Sequence, residues 1–190
     1  MTREMQFMQE AINIGLKGMR SNVGGPFGCV IVKDDTIIGR GCNSVIATND
    51  PTAHAEIVAI REACKALGSF QLEDCEVYTT CEPCPMCMGA LYWARPKKIY
   101  YANSRSDAAA IGFDDSFIYE EFVLPIAKRK MIMEYLHHVE AIKMFEEWRI
   151  IENKTLLNES LIHSMLRCVS FIFPMKNSFP HTLRSGMLSH

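Results

Sequence analysis

Two stretches of the sequence, Thr52-Ala53-His54-Ala55-Glu56 and Cys81-Glu82-Pro83-Cys84-Pro85-Met86-Cys87, decide how the chain is organised. Together they supply one imidazole, two thiols three residues apart and one carboxylate. A structural zinc ion takes four protein ligands, whereas a catalytic zinc ion takes three and leaves its fourth position to water. Because His54, Cys84 and Cys87 make three, the pattern predicts a catalytic site that holds one Zn²⁺ per chain.

The carboxylate of Glu56 lies two residues after the predicted histidine ligand and is not needed to complete the ligand set. Zinc lowers the pKa of its bound water towards about 7, which supplies hydroxide at neutral pH. When hydroxide attacks an amino-substituted ring carbon, a proton must pass from the water to the ring nitrogen and then to the departing amine. The pattern H-x-E followed by P-C-x-x-C is a signature of zinc nucleobase deaminases, so Glu56 is predicted to be the proton shuttle.

Other interpretations of these residues stay open at this point. A C-x-x-C pair also occurs in redox sites, and Cys81 offers a third thiol that would close a purely structural zinc site with the other three ligands. Such a protein would be a zinc-stabilised binding module without turnover. Against this, Cys81 ends the apolar run 77–80, which is typical of a strand end that points elsewhere. Glu56 alone could equally be a solvated helix residue.

The two stretches also predict two helices. Asp50-Pro51-Thr52 is a plausible helix start, and the apolar residues that follow keep helical spacing to about Leu67. A second helix is predicted over 85–93, with both cysteines of the C-x-x-C pair on one side of its first turn. Two helix N-termini would then converge on the metal, where their partial positive charge favours thiolate, carboxylate and hydroxide.

Composition and charge exclude several classes of protein. The chain has 190 residues, 48% of them hydrophobic and 22% charged, which is typical of one globular domain with residues left over for a tail. A net charge of −2 gives no support for a protein that works on nucleic acid or on an anionic membrane surface. The N-terminus predicts an amphipathic helix instead of a signal peptide, and the cysteine spacing is irregular outside the metal motif, so a cytoplasmic protein with reduced thiols is expected.

The remaining elements follow from hydrophobic periodicity and turn signals. Helices are expected over about 3–20, 107–111 and 139–152, and strands over 27–32, 37–42, 76–80, 99–102 and 128–135. The alternation of helices and strands after residue 50 predicts an α/β fold whose parallel section is covered by helices on both faces. From Thr155 onward the periodicity is lost, so residues 1–154 are expected to form the zinc-dependent domain and 155–190 a C-terminal tail of unknown structure.

Five segments carry a family resemblance. Gly24-Gly25-Pro26-Phe27-Gly28, Asn49 to Glu56, Cys81 to Cys87 and Trp93-Ala94-Arg95-Pro96 resemble the cytidine deaminase-like superfamily. Gly112-Phe113-Asp114-Asp115-Ser116-Phe117-Ile118-Tyr119 makes the chain similar to the small bacterial guanine deaminases of that superfamily. The resemblance implies a three-layer α/β/α fold with a mixed five-stranded sheet, and hydrolysis of guanine to xanthine and ammonia.

The resemblance also implies roles for individual residues. It assigns zinc to the three ligands named above and proton transfer to Glu56. By matching position, the substrate would be bound by Asn43, the backbone of Ala55, Phe27, Trp93, Asp114 and Asp115. An aspartate is chemically reasonable here, because guanine presents N–H donors that suit an acceptor-only carboxylate. Helix capping by the two aspartates, and core packing by the two aromatic residues, are the alternatives.

The resemblance implies a homodimer in which the C-terminal segment is exchanged between partners and a terminal tyrosine closes the partner's site. This sequence departs from that pattern, because Lys154 is followed by Thr155-Leu156-Leu157 with no tyrosine. A dimer is expected, and whether a lid closes the site is left open.

The expected function is therefore hydrolytic deamination of guanine by a zinc-bound hydroxide with Glu56 as proton shuttle, the work of a hydrolase acting on cyclic amidines. The alternative within enzymes is a deaminase of another base or nucleoside, namely guanosine, cytosine or an adenosine in tRNA. The tRNA version would need a basic surface, which the balanced charge disfavours.

Overall fold

The computed structural model describes residues 1–155. Its helices are α1 (Arg3–Arg20), α2 (Val45–Thr48), α3 (Ala55–Leu67), α4 (Pro85–Ala94), α5 (Arg105–Ala110), α6 (Ser116–Val123) and α7 (Val139–Ile150), with a 3₁₀ turn at Ile126–Lys128. Its strands are β1 (Gly28–Lys33), β2 (Thr36–Cys42), β3 (Glu76–Cys81) and β4 (Lys98–Asn103). The chain forms two compact units, Met1–Met133 and a second that begins at Glu134 and contains α7.

The four strands form one mixed sheet in the order β2-β1-β3-β4. Strand β1 is antiparallel to both β2 and β3, while β3 and β4 are parallel, as the alternation of helices and strands predicted. The β1–β2 hairpin turns at Asp34 and Asp35, whose φ angles of 47° and 59° match the left-handed backbone that tight hairpins require. The parallel pair places the C-terminal ends of β3 and β4 at the same edge of the sheet.

The sheet packs between two helical layers, because successive residues of each strand face opposite sides. On one face, α1 covers a cluster that includes Ala11, Val30, Val32 and Tyr78. On the other face, α3 and α4 cover a second cluster, made of Cys29, Ile31, Ala55, Ala59, Ala63, Leu72, Cys75, Val77, Leu91 and Ala94. The predicted three-layer α/β arrangement is confirmed.

The prediction of a fifth strand over 128–135 is wrong for the described chain, whose sheet has four strands. Residues 129–138 are extended or bent and pair with no strand of the described part. An apolar alternation predicts extended backbone, but a strand exists only where its N–H and C=O groups find a partner strand. The outer edge of β4 is thus unpaired within residues 1–155.

Helix α3 begins at Ala55, later than the predicted start near Asp50. The Asp50 carboxylate accepts hydrogen bonds from the backbone N–H and the hydroxyl of Thr52, at 2.8 and 2.6 Å, and so forms a turn of its own before the helix. The close approach of α3 to β2 depends on Gly41, where a Cβ atom would lie 2.1 Å from the carbonyl oxygen of Ala55. This contact fixes the start of α3 against the sheet.

Helix α2, with four residues, is too short to establish a helical period, and no helix was predicted over α6. Helix α1, helix α4 and the start of α7 lie within one residue of their predicted positions. The predicted tail, apart from its first residue, lies outside the described residues. No helix of residues 1–155 is long and apolar enough to span a membrane.

Candidate metal centre and active site

The three predicted ligands meet at the C-terminal edge of β3. The Nδ1 atom of His54 lies 3.6 Å from Sγ of Cys84 and 3.6 Å from Sγ of Cys87, and all three ligand atoms lie within 4.8 Å of one another. A tetrahedral zinc ion with Zn–N near 2.1 Å and Zn–S near 2.3 Å separates nitrogen and sulfur donors by roughly 3.6 Å. The donor set and its spacing therefore fit zinc.

Helix geometry explains how these side chains come together. His54 is the N-cap of α3 and Cys84 is the N-cap of α4, each with extended backbone and no side-chain capping bond. An N-cap side chain normally accepts a hydrogen bond from the first turn of its own helix, but here both side chains point to the shared cluster. Cys87 follows in the first turn of α4. The predicted convergence of two helix N-termini is present, and their dipoles favour anionic ligands.

The pKa values of the two cysteine ligands are shifted in opposite directions. The pKa of Cys84 is lowered, because its sulfur accepts hydrogen bonds from the Cys87 thiol and from His54. The pKa of Cys87 is raised, because its proton is shared with the Cys84 sulfur and because the group is buried. The hydrogen bond to Cys84 likewise raises the pKa of His54. Both sulfurs coordinate a metal as thiolates, so the proton of Cys87 must leave when zinc binds.

Cys81 does not join this cluster. Its thiol donates to the carbonyl oxygen of Ser104 at 3.5 Å, and burial, together with the charge of Glu56, raises its pKa to about 11. The metal-ligand cluster found among residues 1–155 contains three residues and leaves Cys81 out. The closed four-ligand site that would suit a structural zinc is therefore not formed in the described chain.

Glu56 lies in the first turn of α3 and is only 6% exposed. Its two carboxylate oxygens have different partners. The Thr79 hydroxyl donates to Oε1 at 2.8 Å, and the Cys87 thiol donates to Oε2 at 3.4 Å. The carboxylate is thus beside the metal cluster without belonging to it, which is the arrangement that a proton shuttle needs.

A cavity of about 630 Å³ opens beside the cluster. Predicted site residues that line it are Phe27, Asn43, His54, Ala55, Glu56, Cys84, Asp114 and Asp115. Ala55 is the first residue of α3, and its N–H has no hydrogen-bond partner within residues 1–155. The backbone of Ala55, to which the resemblance assigned a substrate contact, thus lies at the cavity wall, and the contact itself stays a prediction.

Asn43 is held in one orientation. Its Oδ1 accepts hydrogen bonds from the backbone N–H groups of Gly25 and Val45, at 3.3 and 3.4 Å. Because the oxygen is occupied, the Nδ2 group is left as a donor for a ligand in the cavity. A Cβ atom at Gly24 would lie 2.3 Å from Oδ1 of Asn43, so a glycine is required beside it.

The two aspartates before α6 differ. Asp114 Oδ1 accepts a hydrogen bond from the backbone N–H of Ser116 at 2.9 Å, whereas Asp115 makes no side-chain capping bond. The pKa of Asp115 is raised by partial burial and by the nearby negative charge of Cys84. The Asp115 carboxylate is thus a free acceptor that faces the cavity.

The structure does not bring Trp93 to the cavity. Its side chain is 58% exposed on α4 and lies outside the cavity lining. Its role in substrate binding stays a prediction. By contrast, Phe27 forms one wall and packs edge-on against Phe113, with 4.9 Å between ring centroids.

Sequence reasoning missed Phe113, Thr79 and Arg105 as site residues. Phe113 and Arg105 line the cavity, and the Arg105 guanidinium lies 4.9 Å from the ring centroid of Tyr119. Phe113 directly precedes the paired aspartates, and this position could have indicated that it belongs to the site. Thr79 was visible only as a polar residue inside a buried strand, whereas nothing in the sequence marks Arg105.

Comparison with known proteins agrees with this geometry. Residues 1–103 match the family described as the cytidine and deoxycytidylate deaminase zinc-binding region. The chain is 52% identical over 148 residues to guanine deaminase of Bacillus subtilis (strain 168), which covers 78% of this chain and 95% of that protein. A tRNA-specific adenosine deaminase of Aquifex aeolicus is 49% identical over 77 residues, 40% of this chain and 51% of its own.

Solved structures of guanine deaminases are also similar to this chain. The crystal structure of the Bacillus subtilis guanine deaminase superposes with a TM-score of 0.78 at 50% identity, covering 80% of this chain and 98% of that one. A guanine deaminase from Nitrosomonas europaea gives a TM-score of 0.54 at 32% identity, covering 57% of this chain and 63% of that one. The chain therefore belongs to the cytidine and deoxycytidylate deaminase family of zinc-binding proteins.

Proposed function

We propose that this protein hydrolyses guanine to xanthine and ammonia with zinc as its cofactor, as a hydrolase that acts on a cyclic amidine. The observation that carries the proposal is the free carboxylate of Asp115, which lines the same cavity as the three-donor cluster and Glu56. The Bacillus subtilis relative, which shares 52% of its aligned residues with this chain, is a guanine deaminase.

His54, Cys84 and Cys87 are the proposed zinc ligands. When bound there, zinc supplies a water of lowered pKa as the nucleophile. Glu56 would carry the first proton of that water to a ring nitrogen and the second to the departing amine, so that the C2–N bond breaks, neutral ammonia leaves and the oxygen at C2 becomes the carbonyl of xanthine. Burial of Glu56 in the first turn of α3 keeps the carboxylate beside the proposed metal ligands.

Recognition of the base follows from the hydrogen-bonding groups at the cavity wall. Asn43 presents a donor, because its oxygen is already bonded to two backbone N–H groups. Asp115 presents an acceptor. Guanine has acceptors at O6 and N7 and donors on its ring nitrogen and amino group, so it can satisfy both residues at once. Phe27 and Phe113 provide an apolar wall for the ring.

We further propose that the protein is a homodimer in which the C-terminal segment is exchanged. The outer edge of β4 is unpaired in residues 1–155, and a strand edge of this kind is a template for another chain. Tyr101 of β4 and Tyr92 and Trp93 of α4 also expose large aromatic surfaces. Within the second unit, α7 exposes apolar side chains, among them Phe145 and Trp148. A second copy of the chain would cover these surfaces.

The seven cysteines of residues 1–155 form no disulfide. Coordination by Cys84 and Cys87 needs both as thiolates, so we also propose a reducing compartment such as the cytoplasm.

The proposed reaction is tested by ammonia release from the zinc-loaded full-length chain, offered guanine, guanosine, cytosine and adenine in parallel. Guanine alone is expected to react. Preference for guanosine would show that the cavity accepts a ribose, and reaction with cytosine or adenine in place of guanine would contradict the assignment of Asp115. An inert protein that binds one zinc per chain would favour the binding module instead.

A further inference from the structure

The hydroxyl of Thr79 is buried at a place where an apolar side chain would pack equally well. Thr79 lies on β3 and is 1% exposed. It pairs with Cys29 of β1 and shares its strand face with Val77, and both neighbours belong to the apolar cluster under α3 and α4. Burying a hydroxyl among such groups is unfavourable unless it forms a hydrogen bond. The chain therefore gains nothing in packing from this oxygen.

The one hydrogen bond formed by that hydroxyl within residues 1–155 goes to Oε1 of Glu56, at 2.8 Å. The other carboxylate oxygen, Oε2, lies on the side of Cys87. Once Cys87 is a metal ligand it has no proton to donate, so the Thr79 hydroxyl is the remaining donor to the carboxylate among residues 1–155. A rotation of the Glu56 carboxylate would break that bond.

We propose that Thr79 is the positioning residue for Glu56: its hydroxyl holds Oε1 so that Oε2 alone is presented to the substrate and the attacking water. The inference rests on the proposed deaminase function. Proton transfer depends on donor and acceptor being held in a narrow range of distance and angle, so a carboxylate that turns freely would transfer the proton less often. Thr79 itself does not line the cavity.

The test compares variants of the zinc-loaded full-length protein with guanine as substrate. Thr79→Val removes the hydroxyl and keeps the shape of the side chain. It is expected to lower kcat by about tenfold or more, which corresponds to the loss of one hydrogen bond to a charged group. KM is expected to change by less than about twofold. Thr79→Ser keeps the hydroxyl and is expected to stay within about threefold of the unaltered protein. Equal activity of all three proteins would overturn the inference.

Thr80 provides a matched control on the same strand. Its hydroxyl accepts a hydrogen bond from the backbone N–H of Gly28 at 3.0 Å and does not contact Glu56. Thr80→Val is expected to lower thermal stability with kcat within about twofold, because it removes a buried hydrogen bond away from the carboxylate. A loss of kcat as large as that of Thr79→Val would show that any buried hydroxyl of β3 matters, and would contradict a specific role for Thr79.

A crystal structure of zinc-loaded Thr79→Val gives a readout that is independent of turnover. The Glu56 carboxylate is expected to be rotated or to occupy two positions, with zinc at one per chain. An unchanged carboxylate would overturn the inference even if activity fell. If the unaltered protein releases no ammonia from guanine, the proposed function fails, whereas the carboxylate position in the variant still decides the role of Thr79. If Thr79→Val does not fold, Thr79→Ala replaces it in both measurements.

Discussion

Asp114 and Asp115 are neighbours in sequence, yet one carboxylate is bonded to the start of α6 and the other is free. Asp114 Oδ1 accepts the backbone N–H of Ser116 at 2.9 Å, and Asp115 makes no side-chain capping bond. Both line the cavity. The hydrogen bond to the helix start, which was the alternative to substrate recognition for this pair, is thus made by Asp114. Recognition of the substrate by Asp115 stays a prediction.

Asp115→Asn is expected to lower kcat/KM for guanine by roughly ten- to a hundredfold, because a charged acceptor is lost from a hydrogen bond worth about 1.5–3 kcal/mol. Steady-state kinetics with guanine measures the effect. Asp114→Asn is the control: asparagine can still accept the Ser116 N–H, so a smaller effect and a free energy of unfolding unchanged within about 0.5 kcal/mol are expected. If Asp114→Asn lost more kcat/KM than Asp115→Asn, substrate recognition would be assigned to Asp114 instead.

Glu56→Gln is expected to lower kcat by about 10²–10⁴-fold, because the amide fills the same space but cannot carry a proton. Zinc content, measured by mass spectrometry of the metal, is expected to remain at one per chain. Glu62→Gln on the same helix is the matched control, since its Oε2 only accepts the backbone N–H of Arg40 at 3.0 Å and an amide oxygen can do the same. Retention of full activity by Glu56→Gln would exclude the proposed proton shuttle.

Zinc affinity is expected to rise with pH. The pKa of Cys87 is raised by its hydrogen bond to Cys84 and by burial, so this thiol is protonated in the metal-free chain and must lose its proton when zinc binds. For each proton that is released on binding, the zinc affinity rises by about tenfold per pH unit. This dependence holds at pH values below the pKa of the group that loses the proton. Competition with a chromophoric chelator between acidic and alkaline pH measures the slope, and a pH-independent affinity would contradict the expected proton release.

Substitutions separate the ligands from the neighbouring thiol. Cys87→Ser is expected to abolish stoichiometric zinc binding, because a serine hydroxyl does not ionise at neutral pH and is a poor zinc ligand. Cys81→Ser is expected to keep it, since the Cys81 thiol is bonded to the Ser104 carbonyl. Loss of zinc from Cys81→Ser would support the alternative in which Cys81 is the fourth ligand of a closed structural zinc site.

The proposed dimer is tested by sedimentation equilibrium, which is expected to give twice the chain mass of 21.6 kDa. Trp93→Glu is expected to weaken association by more than about tenfold, because large aromatic residues at interfaces often contribute about 2 kcal/mol or more. Met5→Glu on α1 introduces the same charge at a side chain of similar exposure, 59% against 58%, and is expected to leave the mass unchanged. A monomeric unaltered protein would refute the proposal directly.

The sequence predicted the metal cluster because three donors and one spare carboxylate at fixed spacing have few alternative uses. It also predicted α1, the hairpin and the parallel pair of strands, where periodicity and turn residues are strong. It could not predict which aspartate is free, since that depends on the hydrogen bond to Ser116. The fifth strand was predicted wrongly, because periodicity describes one segment and pairing requires two.

Thr79 illustrates a further limit. In the sequence it is one polar residue within a buried strand, and its contact with Glu56 arises only when α3 packs on the sheet. Contacts between residues so far apart in the chain come from the fold, and no local pattern of residues encodes them.

The placement of His54 and Cys84 as N-caps has a consequence for how this site tolerates change. Each ligand is the last extended residue before a helix, so its position is set by the strand or turn that leads into it. The opposite ends of these helices, near Leu67 and Ala94, pack with the apolar cluster and lie about 15–20 Å along the helix axis from the donor atoms, at about 1.5 Å per residue. A small substitution at those ends is therefore expected to lower stability before it moves the donor atoms.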